Sequence, residues 1–292
     1  MKRAFIAGCG YIGERVARLV RASGAEATCM VRSAEHAERL GAEQFTTIAA
    51  ALDDPATIPT LDVAGCVLFY FIPPPGGGHT DLRARNFCSA LDGAAPPAKI
   101  IYISATSVYS ATDGSVVTED SPAEPVSAMG KRRLDAENTF RTYGARTGAE
   151  VIILRVSGIY GPGRLPLTQI RQGQPLLRAE EAGPSNRIHA DDLALICCAA
   201  ADKGHAGDVF NVSDGHPASM TDYFNAVADS LGEPRQPQMP LETARSVMSP
   251  LMFSYVTESR IVDAARMRDR LGISLRYPTL TEGLKASLDP MD

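Results

Sequence analysis

The first thirteen residues contain the pattern that most limits how this chain can fold. Gly8, Gly10 and Gly13 have the spacing G-x-G-x-x-G, between an apolar stretch at residues 4–7 and a helical repeat of apolar residues that begins at Val16. In a strand–turn–helix unit, the first glycine permits a tight turn, the second leaves room for a pyrophosphate, and the third lets the helix pack on the strand. The free N–H groups and the dipole of the helix N-terminus also favour phosphate. The pattern predicts a dinucleotide site formed by Gly8, Gly10, Tyr11, Ile12 and Gly13; a glycine turn without a ligand is the alternative.

Strand and helix signals alternate over the first 155 or so residues. The predicted strands lie near residues 3–8, 26–31, 65–72, 99–104 and 150–156, and the predicted helices near 12–23, 34–40, 79–93 and 127–146. Alternating β and α segments imply a parallel sheet with right-handed crossovers. The predicted fold is therefore α/β, a Rossmann-type doubly wound parallel sheet.

After residue 157 this alternation gives way to glycine- and proline-rich loops. We predict a strand at 209–212 and helices near 190–202, 219–231, 258–270 and 279–288. Two domains are expected: a dinucleotide-binding Rossmann domain at 1–156, and a smaller C-terminal substrate-side subdomain at 157–292 that is partly interleaved with the Rossmann sheet.

Composition excludes several classes of partner. The chain has 292 residues and a net charge of −5, which disfavours nucleic acid and anionic membranes. No apolar run is as long as a membrane-spanning helix, and no signal-peptide segment follows Met1. The six cysteines show no C-x-x-C and no Cys/His metal spacing. We expect a cytoplasmic protein, monomer or homodimer, with a small-molecule substrate, no metal, no nucleic acid and no membrane insertion.

The residue after the second predicted strand indicates the nicotinamide cofactor. An acid at this position binds the adenosine ribose of NAD, whereas an arginine accommodates the 2′-phosphate of NADP. Here the strand is followed by Arg32 and Ser33, which can both bind a phosphate. The sequence favours NADP, with NAD possible and FAD disfavoured; the alternative is that Arg32 is a solvated loop residue.

Three further segments resemble one enzyme superfamily. They are residues 101–109 (IYISATSVY), 155–164 (RVSGIYGPGR) and 187–192 (RIHADD). In this order they are similar to motifs of the extended short-chain dehydrogenases/reductases, and the G-x-G-Y-I-G turn looks more like the atypical branch of that superfamily. The resemblance implies an NAD(P)-dependent protein of the epimerase/dehydratase type, a group that also includes hydroxysteroid-type dehydrogenases.

The resemblance also shows where this chain departs from the family. Family members use a tyrosine for proton transfer, a lysine four residues later that holds the ribose, and a serine or threonine that binds the substrate oxygen. The matching positions here are Met129, Arg133 and Ala105. Methionine cannot donate a proton, whereas arginine keeps the cation and can still bind ribose hydroxyls. The Tyr-x-x-x-Lys motif is altered, and the usual proton relay is predicted to be absent.

Other residues are candidates for the catalytic role. Thr106 flanks the vacant serine position, and its alternative role is to cap the turn after the strand. Tyr109 matches a family tyrosine on the active-site side, but it could merely pack. His79 follows the Pro/Gly loop after the strand at 65–72, where open α/β sheets bind ligands; its alternative role is that of a solvated residue at the start of a helix.

The predicted binding residues complete the site. Pro73, Ser104 and Arg133 join the glycine turn, Arg32 and Ser33 as cofactor-binding residues. Tyr160, Arg164 and Arg187 are the predicted substrate-binding residues. In nucleotide-sugar relatives the arginine matching Arg187 binds a diphosphate, but Arg187 could pair with Asp191 or Asp192 instead. The apolar residues at 165–177 would equally suit a larger hydrophobic substrate.

Two hypotheses from different classes follow. The first is an NADP(H)-binding oxidoreductase or epimerase/dehydratase-like enzyme with a non-standard proton donor, acting on a small-molecule alcohol, carbonyl or sugar-type substrate. The second is a non-catalytic NADP(H)-binding redox sensor or regulatory protein. The retained substrate-side motifs favour the enzyme.

Overall fold

The computed structural model describes residues 1–257 and 259–288. Its strands are β1 (Arg3–Ala7), β2 (Glu26–Val31), β3 (Thr46–Ala49), β4 (Val67–Tyr70), β5 (Lys99–Ala105), β6 (Val116–Val117), β7 (Glu150–Val156), β8 (Gly158–Tyr160), β9 (Leu176–Leu177), β10 (Pro184–Ser185), β11 (Arg187–His189), β12 (Val209–Val212), β13 (Ala218–Ser219), β14 (Gln238–Met239) and β15 (Ile261–Val262). Its α-helices are α1 (Tyr11–Ala22), α2 (Ala34–Ala42), α3 (Leu82–Ala90), α4 (Ala128–Thr147), α5 (Leu167–Arg171), α6 (Ala190–Lys203), α7 (Met220–Leu231), α8 (Leu241–Val247), α9 (Pro250–Thr257), α10 (Ala265–Leu271) and α11 (Leu280–Leu288). The start of the predicted helix 258–270 and the end of the predicted second domain, at 289–292, lie outside the described residues.

Seven strands form one parallel sheet in the order β12-β7-β5-β4-β1-β2-β3. The chain starts at β1, moves outward through β2 and β3, and then crosses back to place β4 on the other side of β1. The direction of winding therefore reverses between β1 and β4, and ligands bind at such a switch point in open α/β sheets. The predicted Rossmann-type doubly wound fold is confirmed.

Helices cover both faces of this sheet. Along β5, Ile101 and Ile103 point into one apolar cluster together with residues of α1 and α6. The alternate residues Ile100 and Tyr102 point into a second cluster with residues of α3 and α4. Both faces of the central strands are thus buried, which explains why these segments are apolar throughout.

Residues beyond 157 contribute to the sheet and also build a separate core. The strand β12 pairs with β7 at the sheet edge, and α6 packs against α1. Farther from the sheet, α7 and α11 enclose a third apolar cluster that includes Tyr160, Tyr223 and Leu284. The division into domains at residue 156 stays a prediction.

The structure differs from the prediction at three elements. The strand β3 was missed because it is a half-exposed edge strand rich in threonine. The helix predicted at 79–93 begins only at Leu82, because the Asp81 side chain caps it by accepting a hydrogen bond from the Ala84 amide at 3.0 Å. The helix predicted at 258–270 begins only at Ala265, since Ile261 and Val262 pair with β6 instead.

Three further observations concern the class of protein. All six cysteines are free; Cys198 is half-buried and the others are buried. Within residues 1–257 and 259–288, no helix is long and apolar enough to cross a membrane. The same residues contain no group of three or more His, Cys, Asp or Glu side chains suited to hold a metal ion.

Candidate functional site

The three glycines of the turn between β1 and α1 have different surroundings. A Cβ added at Gly8, whose φ is +88°, would lie 2.9 Å from the Ile72 amide nitrogen, and one added at Gly13 would lie 2.6 Å from the Gly8 carbonyl oxygen. A Cβ added at Gly10 would meet no atom within 4 Å. Gly8 and Gly13 therefore permit close packing, whereas Gly10 borders open space at the N-terminus of α1, which no side chain caps. This is the cradle that a pyrophosphate requires.

A cavity of ≈ 470 Å³, here called the glycine-turn cavity, opens beside this turn. Loops at the carboxyl ends of β1, β2, β3 and β4 form its wall. The predicted cofactor-binding residues that line it are Gly8, Gly10, Tyr11, Ile12, Arg32, Pro73 and Arg133. The cavity lies at the switch point of the sheet, where open α/β sheets bind ligands.

Arg32 lies at the end of this cavity with most of its guanidinium in solvent. Its side chain is 79% exposed, and its ion pair with Asp53 is long, at 3.8 Å. Asp53 instead accepts a shorter hydrogen bond from Arg83, at 2.8 Å. Arg32 is thus available for an anionic ligand.

Ser33 does not line the cavity; its hydroxyl caps α2 by accepting a hydrogen bond from the His36 amide at 3.3 Å. The structure brings His36 to the cavity wall instead. The imidazole Nε2 of His36 lies 2.9 Å from a carboxylate oxygen of Glu14 on α1. Sequence reasoning missed His36, although its place in the first turn after Arg32 was a signal for a second basic group.

Tyr11 connects the glycine turn to the loop after β8. Its hydroxyl donates a hydrogen bond to the Pro162 carbonyl at 2.9 Å, and the guanidinium carbons of Arg15 and Arg164 lie 4.1 Å and 5.0 Å from its ring centroid. Burial raises the pKa of the Tyr11 phenol. Tyr11 is therefore neutral at physiological pH and holds this loop against the glycine-turn cavity.

A second cavity of ≈ 540 Å³, here called the large cavity, lies at the carboxyl ends of β5 and β7. Ile159 and Arg164 line both cavities. Met129 lines the large cavity, and Arg133, one turn later on α4, lines the glycine-turn cavity and donates a hydrogen bond to the Ile103 carbonyl at 3.0 Å. The helix that carries the altered motif therefore borders both spaces.

The vacant serine position also faces the large cavity. Ala105 lines it beside Met129, and Thr106 and Ser107 follow on the same wall. Thr106 begins a 3-10 turn without capping it, so its half-exposed hydroxyl makes no hydrogen bond within the described chain. The predicted alternative, that Thr106 caps the turn, does not hold.

Two buried hydroxyls lie next to Ala105 and Thr106. Ser157 directly follows Val156, the residue that pairs with Ala105 across β5 and β7. The hydroxyl oxygens of Ser107 and Ser157 are buried and have no hydrogen-bond partner among the described residues. Buried hydroxyls are rarely left unpaired, so these two groups are suited to receive a ligand or a water. Ser157 lies within the segment 155–164 but at a position where the family motif specifies no residue, so no role was predicted for it.

Ser104 and Tyr109 do not reach either cavity, because a buried polar network holds both. The Ser104 hydroxyl donates to Glu137 at 2.7 Å, and the Arg155 guanidinium donates to the same carboxylate at 2.9 Å and 3.1 Å. The Tyr109 hydroxyl donates to Asn211 at 2.6 Å and accepts from Arg155 at 3.1 Å. Ser104 and Tyr109 thus join β5, α4, β7 and β12 in this structure, and their roles as cofactor ligand and catalytic group stay predictions.

His79 is likewise not part of either cavity. It is exposed on the loop before α3, three residues short of the helix that was expected to begin there. The loop is held from α4 by Arg132, which donates to the Gly77 and Gly78 carbonyls at 3.3 Å and 2.9 Å. The structure gives His79 no position from which to act on a ligand in these cavities.

All three predicted substrate-binding residues line the large cavity. Arg164 is exposed at its junction with the glycine-turn cavity. The ring of Tyr160 lines the wall, but its buried hydroxyl packs against Gly283 of α11 and has no hydrogen-bond partner in the described chain. Burial raises the pKa of this phenol, which therefore stays protonated at neutral pH.

Arg187 is buried on the wall of the large cavity. Its guanidinium donates to the Ala218 carbonyl at 3.2 Å, and burial lowers its pKa to about 10. The alternative role for Arg187, pairing with Asp191 or Asp192, is not found, because Asp191 accepts from Arg15 at 2.7 Å and Asp192 accepts from the backbone amides of Arg276 and Tyr277.

Comparisons with known proteins show similarity in sequence and in fold. Residues 82–213 match the NAD dependent epimerase/dehydratase family. A curated relative, Protein YeeZ of Escherichia coli (strain K12), is 29% identical over 184 residues; the match covers 62% of this chain but only 59% of that protein.

Solved structures share the fold over nearly the whole chain. A functionally unknown conserved protein from Silicibacter pomeroyi DSS superposes with a TM-score of 0.84 at 27% identity, covering 98% of both chains. UDP-glucuronic acid 4-epimerase from Bacillus cereus, solved in complex with NAD, superposes with a TM-score of 0.75 at 19% identity, covering 98% of this chain and 97% of the epimerase. The chain is therefore similar to the NAD dependent epimerase/dehydratase family over residues 82–213, and it shares the fold of these solved structures over nearly its whole length.

Proposed function

We propose that this protein is an NADP(H)-dependent oxidoreductase that acts on an alcohol or carbonyl carbon of a small-molecule substrate, with a proton donor other than the family tyrosine. The observation that carries this proposal is the open space at Gly10, framed by Gly8 and Gly13, next to the large cavity. The bound nicotinamide would accept or donate the hydride. The protein's own part is to orient the two ligands and to bind the substrate oxygen.

NADP is proposed in preference to NAD because no acid ends β2. Arg32 occupies that position with a largely exposed guanidinium whose ion pair with Asp53 is long, and His36 adds a second basic group to the same cavity. A 2′-phosphate would form charge-assisted hydrogen bonds with Arg32. Arg133 would act as a fixed cation toward the ribose, in the place where the family has lysine.

The substrate oxygen would be bound by hydroxyl groups. Thr106 presents a free hydroxyl to the large cavity beside Ala105 and Met129, and Ser107 and Ser157 lie on the same wall. An O–H donor at this place polarises a carbonyl and stabilises the developing oxyanion. The proton would reach the oxygen through such a hydroxyl from water.

The remaining proposals concern the cellular compartment, the oligomeric state and the roles of the two parts of the chain. Six unpaired thiols support a reducing compartment such as the cytoplasm. We propose a monomer or homodimer in which residues 1–156 bind the cofactor and the later residues bind the substrate.

Cofactor identity is tested by following NADPH and NADH fluorescence on titration with protein, because the chain has no tryptophan. We expect Arg32→Ala to weaken NADPH binding by about tenfold or more and to leave NADH binding nearly unchanged, since it removes one charged partner of the phosphate. Arg235→Ala, at an exposed arginine paired with Asp229, is the matched control. Equal loss of both nucleotides would refute the preference for NADP, and binding of neither would refute the proposed function.

Catalysis is tested at Thr106. With the unaltered protein, we expect NADPH oxidation by at least one member of a panel of ketones, keto acids and keto sugars. Thr106→Val should lower kcat by roughly 10²-fold, because an oxyanion-binding hydroxyl is lost, while Thr106→Ser retains most activity. NADPH binding without oxidation by any member of the panel would favour a non-catalytic redox sensor instead.

A further inference from the structure

Asp81, which caps α3, is a fully buried acid with one unused carboxylate oxygen. The residue is 0% exposed, and one of its oxygens accepts the hydrogen bond from the Ala84 amide at 3.0 Å. The other oxygen, Oδ2, is buried and has no hydrogen-bond partner in the described part of the chain. A helix cap needs one acceptor, and asparagine or serine caps as well as aspartate without burying a charge. Capping alone therefore does not explain the acid at this position.

Two tyrosine hydroxyls near Asp81 also lack partners. Tyr70 on β4 pairs with Tyr102 on β5, and their ring centroids lie 6.0 Å apart. Both hydroxyl oxygens are buried, and neither forms a hydrogen bond with a residue that the structure describes. Burial raises the pKa of both phenols, that of Tyr102 to about 12, and the charge of Asp81 acts in the same direction on both. The two phenols are therefore protonated at neutral pH, and each has a hydrogen to donate.

Arg133 borders the same group of buried oxygens. Its guanidinium donates to the carbonyl of Ile103, the residue that follows Tyr102, at 3.0 Å. Burial raises the pKa of Asp81, and the charge of Arg133 opposes this rise; burial and Arg133 also act in opposite directions on Tyr102. The start of α3 is joined to α4 two residues beyond Arg133, because the Asp81 amide donates to Asp135 at 2.8 Å. Asp81, Tyr102 and Arg133 thus form one cluster near the carboxyl ends of β4 and β5.

The acids that follow Arg133 on α4 are engaged by other arginines. Asp135 accepts from Arg85 at 2.5 Å and 3.1 Å, and Glu137 accepts from Arg155 at 2.9 Å and 3.1 Å. Asp81 is the neighbouring acid that keeps an unused oxygen.

Tyr102 is placed to join this oxygen to Arg133. A phenol hydroxyl can donate to a carboxylate and accept from a guanidinium at the same time. The charges of both Asp81 and Arg133 act on the Tyr102 phenol. A bridge through this hydroxyl would satisfy two buried oxygens that otherwise have no partner, and buried polar atoms are rarely left so.

Resting on the proposed function, in which Arg133 acts on the ribose of the nucleotide, we propose that Asp81 is a positioning residue for Arg133. Its carboxylate, through the Tyr102 hydroxyl, is the counter-ion that holds the guanidinium at the wall of the glycine-turn cavity, which Arg133 lines. Tyr70 supplies a second donor to the same carboxylate. Because the ribose is common to NADPH and NADH, the binding of both depends on Asp81, whereas Arg32 discriminates between them.

Nicotinamide fluorescence on titration with protein tests this role in Asp81→Asn. The amide still caps α3, but the charge is removed. We expect NADPH and NADH each to bind about fivefold or more weakly, because the guanidinium has lost its counter-ion and is no longer held in place. Loss of a negative charge near an anionic ligand would by itself tighten binding, so the sign of the change separates the two effects. Asp222→Asn, at an exposed acid in the capping box of α7, is the control and should change neither affinity.

A double-mutant cycle shows whether Asp81 acts through Arg133. If it does, the double variant Asp81→Asn with Arg133→Met binds both nucleotides as Arg133→Met alone does. An unrelated effect on α3 would instead multiply with the loss caused by Arg133→Met. Tyr102→Phe removes only an unpaired buried hydroxyl, so it should fold, and it should weaken binding in the same direction as Asp81→Asn. Melting temperatures without nucleotide check that each variant is folded.

The opposing outcomes are distinct. Unchanged or tighter binding by Asp81→Asn would overturn the assignment, as would normal binding by Tyr102→Phe or losses that multiply in the double variant. A loss confined to NADPH would also contradict it, because Asp81 would then act on the 2′-phosphate and not on the ribose. If the unaltered protein binds neither nucleotide, the proposed function fails and this inference with it. If the unaltered protein binds both nucleotides and Asp81→Asn binds them equally well, only this inference fails.

Discussion

Glu137 on α4 is a fully buried acid whose carboxylate is shared by two neighbouring strands. It accepts hydrogen bonds from Ser104 on β5 and from Arg155 on β7, and Arg141 on its own helix adds one at 3.1 Å. Arg155 is itself 4% exposed, and it also bonds Tyr109. The ion pair between Glu137 and Arg155 therefore anchors α4 against the sheet. The same helix carries Met129 and Arg133.

Removing this acid should destabilise the protein strongly. Glu137→Ala leaves the Arg155 guanidinium buried without a counter-ion, which costs about 3–5 kcal/mol. Glu137→Gln should cost less, because the amide oxygen can still accept hydrogen bonds. Urea denaturation measures both, with Asn138→Ala, at the exposed neighbouring position, as the control. A loss below about 1 kcal/mol for Glu137→Ala would show that the pair contributes little to stability.

At the residue scale, the sequence predicts those roles that depend only on neighbouring residues in the chain. The roles of Gly8, Gly10 and Gly13 depend on a turn of six residues, and the position of Arg32 depends only on the end of β2. The strand partners of Glu137, Ser104 and Arg155, lie 33 and 18 residues away in the chain, so no local spacing predicts that this acid joins two strands. For the same reason Tyr109 was assigned to the site by motif, although its partner Asn211 is 102 residues distant.

At the scale of one element, we expect two glycines of the turn before α1 to differ in role: Gly13 matters for stability and Gly10 for NADPH binding. Gly13→Ala should lower the free energy of unfolding by about 1–3 kcal/mol, because the new methyl group overlaps the Gly8 carbonyl. Gly10→Ala should leave stability nearly unchanged, since its Cβ meets no protein atom, yet weaken NADPH binding by about tenfold or more. Denaturation and NADPH fluorescence measure the two effects.

Gly41→Ala on α2 is the control for this pair of variants. An added Cβ there makes only an ordinary contact, with the Thr47 hydroxyl at 4.0 Å. It should leave NADPH binding intact and stabilise α2 by about 0.5–1 kcal/mol. If Gly10→Ala binds NADPH as well as Gly41→Ala does, the space beside Gly10 does not hold the pyrophosphate.

The central strands β5 and β7 were predicted closely, whereas the half-exposed edge strand β3 was missed. The bounds of β7 agree with the prediction, and those of β5 differ by one residue, because an apolar run with defined ends has few alternatives. The short pairs β6–β15 and β8–β11 join segments distant in sequence. Their pairing depends on the tertiary fold, and single-sequence periodicity contains no signal for it.

At the scale of the whole molecule, the sheet depends on residues from both halves of the chain. The strand β12 pairs with the edge of β7. The helix α6 packs against α1 and against the face of β5 and β7 that shares an apolar cluster with α1. A chain of residues 1–156 would lack both and would expose apolar residues of that face, including Val16, Ile101 and Ile152.

We therefore expect residues 1–156 to be unable to form a stable domain alone. Circular dichroism should show no cooperative thermal transition, and a dye that binds exposed apolar surface should fluoresce with the fragment but not with the full chain. A fragment that melts cooperatively and binds NADPH would show that the cofactor half folds independently.

The sharing of Ile159 and Arg164 between the two cavities has a thermodynamic consequence. A ligand that shifts either side chain in one cavity changes the wall of the other, so the two binding events are not independent. Coupling of this kind is reciprocal: any factor by which the nucleotide alters substrate affinity is the factor by which the substrate alters nucleotide affinity. The coupling free energy can therefore be measured by titrating only the nucleotide, once without the second ligand and once in its presence.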